Sequence, residues 1–140
     1  MKATHLSTIE TVAYICLSEG KILLTKHKEK EAFYMPGGKK DNGETEKAAI
    51  FREIKEELTI ELIEDTLLHY GIFQAPAYGK PEGVHVKISC FTGNHRGTIQ
   101  PDHEIEAARF FNYNEYLTMP ETSLATRVIL EDLKAKGLLV

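Results

Sequence analysis

Arg52-Glu53-Ile54-Lys55-Glu56-Glu57-Leu58 is the stretch on which this sequence turns. A helix rotates about 100° per residue, so from Glu53 the next acids, Glu56 and Glu57, fall at about −60° and about +40°. Three carboxylates then share one arc. Like charges at i,i+4 destabilise a helix. Arg52 stands four residues before Glu56, but Glu53 and Glu57 have no Lys or Arg three or four residues away. Acidic faces that are merely solvated usually interleave cations at that spacing. A divalent cation is therefore the economical partner. The apolar stripe Ile50, Phe51, Ile54 and Leu58 occupies the neighbouring arc. The carboxylates thus border a buried face, where a pocket can form.

The residues upstream are rich in backbone punctuation. They read Phe33-Tyr34-Met35-Pro36-Gly37-Gly38-Lys39-Lys40-Asp41-Asn42-Gly43-Glu44. Pro36 fixes φ, and Gly37 and Gly38 allow close backbone approach. Asn42-Gly43 signals a turn. Thr45 suits an N-cap and Glu46 the positive end of the helix dipole, which predicts a helix from about Glu46 to Leu58.

As one string, Gly38, five residues, Glu44, seven residues and Arg52 to Ile60 resembles the Nudix box, Gly-x5-Glu-x7-Arg-Glu-U-x-Glu-Glu-x-Gly-U, where U is bulky and aliphatic. Eight of nine defined positions match: Gly38, Glu44, Arg52, Glu53, Ile54, Glu56, Glu57 and Ile60. Thr59 stands where the box has glycine. A left-handed residue is expected there, and a β-branched side chain is poor at positive φ. Either the helix ends differently or Thr59 carries strain.

The resemblance implies an α/β fold, a Nudix-type α/β/α sandwich with a mixed β-sheet and two main helices, in a single domain over 1–140. It implies hydrolysis of a diphosphate bond in a nucleoside diphosphate linked to another moiety. Glu53, Glu56 and Glu57 carry over as the metal-binding set, with the Gly37 backbone against the metal or phosphates. Glu44 and Arg52 carry over as partners that orient the site, and Glu53 also counts among the catalytic residues. In this family the general base is a helix glutamate or a glutamate from a later loop. Asp102-His103-Glu104-Ile105-Glu106 supplies candidates, of which Glu104 is the choice, while His103 reads as a surface histidine.

Hard oxygen ligands favour Mg²⁺, with Mn²⁺ able to substitute, and no Cys/His cluster has zinc spacing. A divalent ion neutralises diphosphate oxygens and lowers the pKa of an attacking water, whose proton a nearby carboxylate can take. Substrate contacts are expected from Gly38, Lys39 and Tyr78. Tyr78 lies in the stretch Gln74 to Gly83, which is long for a hairpin connection. His27 and His85 read as ordinary strand residues.

The remaining composition sets the class. The 140 residues carry a net charge of −4, with 42% hydrophobic and 27% charged residues, as in an ordinary globular chain. Acidity disfavours nucleic acid as a partner, because nonspecific binding needs basic surface. Cys16 and Cys90 are expected as free, buried thiols. The absence of a long apolar run or signal-like start predicts a cytoplasmic protein that needs no membrane. A homodimer is a further expectation.

Strands are predicted at Ile9 to Leu17, Lys21 to His27, Leu67 to Phe73, Val84 to Thr92 and Ala107 to Phe111. In the first, Val12, Tyr14 and Cys16 face one way and Ala13, Ile15 and Leu17 the other, which implies cover on both sides. An amphipathic helix is predicted from Ser123 to Lys136, with Leu124, Val128, Leu130 and Leu133 as its apolar stripe and Gly137 as its stop. The leading function is a nucleotide pyrophosphohydrolase acting on a small nucleotide such as a (d)NTP or a damaged nucleotide. The alternatives are an RNA 5′-end pyrophosphohydrolase and a noncatalytic nucleotide-binding module.

Overall fold

The computed structural model describes residues 7–140. Four strands form the central mixed sheet: β1 (Ser7–Ile15), β5 (Gly37–Lys39), β7 (Leu68–Pro76) and β8 (Val84–Thr92). Their order is β5-β1-β8-β7, with β1 and β8 parallel and the other pairs antiparallel. A second sheet sets β3 (Lys21–His27) between β10 (Ile105–Phe111) and β2 (Leu17–Ser18), and β4 (Phe33–Tyr34) also pairs with β3. The strands β6 (Glu61–Leu62) and β9 (His95–Arg96) make a small ribbon. The helices are α1 (Glu46–Leu58), α2 (Tyr113–Leu117) and α3 (Leu124–Ala135).

The two-faced pattern of β1 organises the layers. Val12, Tyr14 and Cys16 pack with Ala49, Ile50, Ile54 and Leu58 of α1. Ala13 and Ile15 pack with Ala125, Ile129, Leu130 and Leu133 of α3, and Leu17 packs against the same cluster. Each side of the strand layer thus has its own helix, because an apolar face must be covered on both sides of such a strand. Cys16 and Cys90 are free and buried, in the α1-side and α3-side cores respectively.

Helix α1 has the predicted limits. Thr45 accepts from the Ala48 amide as its N-cap, which satisfies one of the amide groups orphaned at a helix start. In α3 the predicted Leu130 and Leu133 are buried and Val128 is half-buried, but the first turn differs. Leu124 is exposed at 47%, whereas Ala125, Ile129, Leu130 and Leu133 are buried. The buried Tyr116 hydroxyl donates to the Phe33 carbonyl and accepts from the Ser123 amide. This bridge ties the start of α3 to β4, and there Ala125 rather than Leu124 meets the core.

Four short strands escape the sequence reading: β4, β5, β6 and β9. Two or three residues are too few to show alternation, and Gly37-Gly38 is poor strand composition. β5 exists because Gly37, Gly38 and Lys39 pair with Ala13, Val12 and Thr11 of β1. Gly37 has φ +146, and a β-carbon there would lie 2.0 Å from the Val12 carbonyl oxygen. Strand β7 runs to Pro76, so the connection expected from Gln74 is shorter, and β10 begins at Ile105. Among the described residues, no helix is long and apolar enough to cross a membrane.

Candidate active site

Helix α1 lies with Glu57 turned inward. Its side chain is only 2% exposed, and the Gly37 amide donates to Oε1 at 2.9 Å. Burial pushes this carboxyl from 4.5 up to about 8; the charges of Glu53, Glu104 and Glu56 push the same way, against the Gly37 hydrogen bond. That displacement disfavours the ionised form by roughly 5 kcal/mol. Burial also raises Glu53, opposed by its contact with Arg52. Glu53 lies over Gly38, where a β-carbon would come within 2.6 Å of the carboxylate. The glycine pair therefore has two separate causes: Gly37 clears the backbone of β1, and Gly38 clears a side chain of α1.

Arg52 is the hub of the acidic group. Its Nε and Nη2 donate to the two Glu44 oxygens at 2.8 and 2.9 Å, a fork-on-fork pair. Nη2 also donates to the Lys39 carbonyl at 3.1 Å, and Nη1 to Glu53 Oε1 at 2.9 Å. Glu56 Oε2 stands 3.7 Å from Nη1. Arg52 holds Glu44 down to about 2, helped by the Asp41 amide. This corrects the view that Glu53 lacks a cation: helical spacing alone pairs residues three or four apart, whereas the long Arg52 side chain reaches sideways to its neighbour.

Thr59 adopts the left-handed conformation, with φ 62 and ψ 24, so the helix ends where glycine would end it. The following loop docks on that end. Gln100 and Asp102 amides donate to the Leu58 and Glu57 carbonyls at 2.8 and 3.0 Å. His103 is exposed, as expected, yet its Nδ1 is 2.9 Å from the Glu56 carbonyl. Glu104 follows and lies close enough for its charge to act on Glu53, Glu57 and His27.

Beside this cluster is a cavity of about 300 Å³. Gly37, Gly38, Lys39, Tyr34, Tyr78 and Lys80 are among its lining residues. Tyr78 packs edge-on against Tyr34 with ring centroids 5.5 Å apart, and its hydroxyl donates to Glu121. His27 is edge-on to Tyr34 in turn, 5.6 Å away, and its Nε2 is 3.9 Å from Glu57 Oε2. His27, the last residue of β3, is a strand residue as expected and also lines this cavity. Burial lowers its pKa, with Glu104 opposing. Its position at the end of β3 carried no signal in the sequence, and Lys30, Tyr34 and Glu121 were equally silent. A wider depression of about 520 Å³ lies at the helix end, bordered by Lys55, Glu56, Thr59, Arg96 and His103. It lacks His27, which faces Glu57, and the glycine pair that meets Glu57 and Glu53, whereas the smaller cavity is lined by all three.

Among the described residues, no three acidic, histidine or cysteine side chains converge as a finished metal cage. Arg52 stands between Glu53 and Glu56. The donor chemistry nevertheless fits a hard divalent cation. Glu57 is a buried carboxylate crowded by like charges, and a cation would relieve that crowding.

A sequence profile of the NUDIX domain matches residues 7–133. The chain belongs to the NUDIX family. This NUDIX chain is 31% identical over 117 residues to the ADP-ribose pyrophosphatase of Methanocaldococcus jannaschii. That match covers 81% of the chain, and the chain spans 66% of the relative's length. The solution structure of the E. coli ORF135 protein superposes with TM-score 0.73 at 28% identity, covering 94% of this chain and 92% of that one. The MutT NUDIX hydrolase from Burkholderia pseudomallei superposes with TM-score 0.74, covering 89% and 97%, and at 24% identity shows the shared fold. The α/β architecture is therefore shared with both solved structures.

Proposed function

We propose that this NUDIX chain, taken as one domain, is a Mg²⁺-dependent nucleotide pyrophosphohydrolase that cleaves the diphosphate bond of a nucleoside diphosphate linked to another moiety. The carrying observation is the buried Glu57 carboxylate, bound to the Gly37 amide and crowded by acidic neighbours, beside a nucleoside-sized cavity. Glu53, Glu56 and Glu57 would hold the cation, with Mn²⁺ able to replace Mg²⁺. When bound, such an ion neutralises diphosphate oxygens and acidifies an attacking water.

The chain's own groups supply the rest. Arg52 and Glu44 fix the Lys39 carbonyl and the Glu53 carboxylate, so loop and helix keep one geometry. Glu104 is the proposed base: it takes a proton as the water oxygen bonds to phosphorus and the bridging P–O bond breaks. Tyr34 and Tyr78 offer aromatic surface to a nucleobase, and Lys39 and Lys80 offer charge to phosphate. The likeness to an ADP-ribose pyrophosphatase supports the class of reaction. Two free thiols fit a reducing, cytoplasmic setting. Leu68 and Ile72, exposed on edge strand β7, favour a homodimer.

The test is a panel of ADP-ribose, other nucleoside diphosphate derivatives and (d)NTPs, with Mg²⁺ or with chelator. Released nucleoside monophosphate that disappears with chelator is the expected result. No turnover of any member by folded protein would overturn the reading.

A further inference from the structure

Resting on that reading of Glu104, we propose that Thr59 is a positioning residue whose hydroxyl pins the loop that carries the base. A helix ordinarily leaves its last four carbonyls unpaired. Here every one is taken. Lys55 accepts from the Thr59 amide, Glu56 faces His103 Nδ1, Glu57 accepts from Asp102 and Leu58 accepts from Gln100. Because a carbonyl only accepts, His103 Nδ1 carries the hydrogen.

Thr59 adds a bond that glycine could not make. Its Oγ1 donates to the Gln100 carbonyl at 2.8 Å, while the Gln100 amide donates to Leu58. Gln100 is thereby held on both of its backbone groups. Asp102 is anchored next, and the Glu104 carbonyl accepts from the Lys28 amide at 2.9 Å. Glu104 therefore sits between two fixed points, one on α1 and one beyond the end of β3. At φ 62 a threonine is strained where glycine is not. The hydroxyl contact offsets that strain and converts a helix stop into a fastening for the loop.

The experiment compares Thr59→Gly and Thr59→Ser, each alone and with Glu104→Gln. Amide hydrogen exchange is read at Gln100 to Ile105 without substrate. Turnover of ADP-ribose and dGTP with Mg²⁺ is resolved into kcat and KM. Thr59→Gly should melt no lower than the parent, because glycine accepts this conformation freely. Exchange in the loop should quicken, and kcat should fall about tenfold with KM nearly unchanged, as expected for a misplaced catalytic group. Thr59→Ser should restore both. In the Glu104→Gln background, Thr59→Gly should cost no further kcat. Loop exchange like the parent's in Thr59→Gly, or an equal loss of kcat without Glu104, overturns the proposal. Should the parent cleave neither probe, the exchange arm still rules on the pin, while the hydrolytic reading is judged by the wider panel.

Discussion

Gly38 and Glu53 are fitted to one another across the loop and the helix: a β-carbon at 38 would stand 2.6 Å from the Glu53 carboxylate. The obstacle is the end of a side chain, so the collision moves the carboxylate and leaves the backbone intact. Gly38→Ala is expected to keep its melting temperature within a few degrees. Its activity should drop at least about tenfold, because small displacements of reacting groups are expensive. Gly37→Ala meets the Val12 carbonyl instead and should lose stability outright. Thermal melts and turnover on the same preparations separate the two.

Glu57→Gln keeps the size and removes the charge. Activity should fall by about a hundredfold or more, in the range seen when an acid–base or metal-holding group is lost. The fold should survive, since the side-chain carbonyl oxygen that the substitution leaves in place can still accept from the Gly37 amide. Parent-like turnover in this variant would remove Glu57 from the metal-holding set.

Metal-free protein should lose stability as pH rises. The folded Glu57 carboxyl is raised from 4.5 to about 8, so its contribution is fully present below about pH 4.5. It is lost as pH climbs through about 8, where a buried charge must form. Melting curves in chelator from pH 5 to 8.5 should show the decline, and Glu57→Gln should flatten it. Added Mg²⁺ should raise the midpoint more at pH 8 than at pH 5.5, since it binds the ionised carboxylate. An equal rise at both pH values would contradict this account.

Arg52→Lys preserves charge and loses the fork. Lysine cannot span both Glu44 oxygens, the Lys39 carbonyl and Glu53 at once. The expected outcome is a kcat reduced by about tenfold or more with modest loss of stability, measured by steady-state kinetics beside a denaturant titration.

Tyr116→Phe tests the strut that ties the start of α3 to β4. The hydroxyl is buried, and its removal takes away a donor to the Phe33 carbonyl and the acceptor of the Ser123 amide. A loss of roughly 1–3 kcal/mol in urea unfolding is expected. An unchanged midpoint would show that the strut carries little of the helix's placement.

The sequence by itself determined helix α1, the two-faced strand β1, the end-to-end extent of β8 and the acid-rich motif. These are local matters: caps, period and spacing act within a few residues of one another. It also placed Gly37, Gly38, Glu44, Arg52 and Glu104 among the candidates through the motif and one later acidic cluster. Only the tertiary structure decided that His27 stands beside Glu57, that Arg52 reaches Glu53, that Tyr116 ties the start of α3 to β4 and that the loop before β10 docks on the end of α1. Those contacts join residues far apart along the chain, and no periodicity records them. The left-handed turn at Thr59 lies between the two: the motif demanded the conformation, but the Gln100 carbonyl that receives its hydroxyl comes from the folded loop.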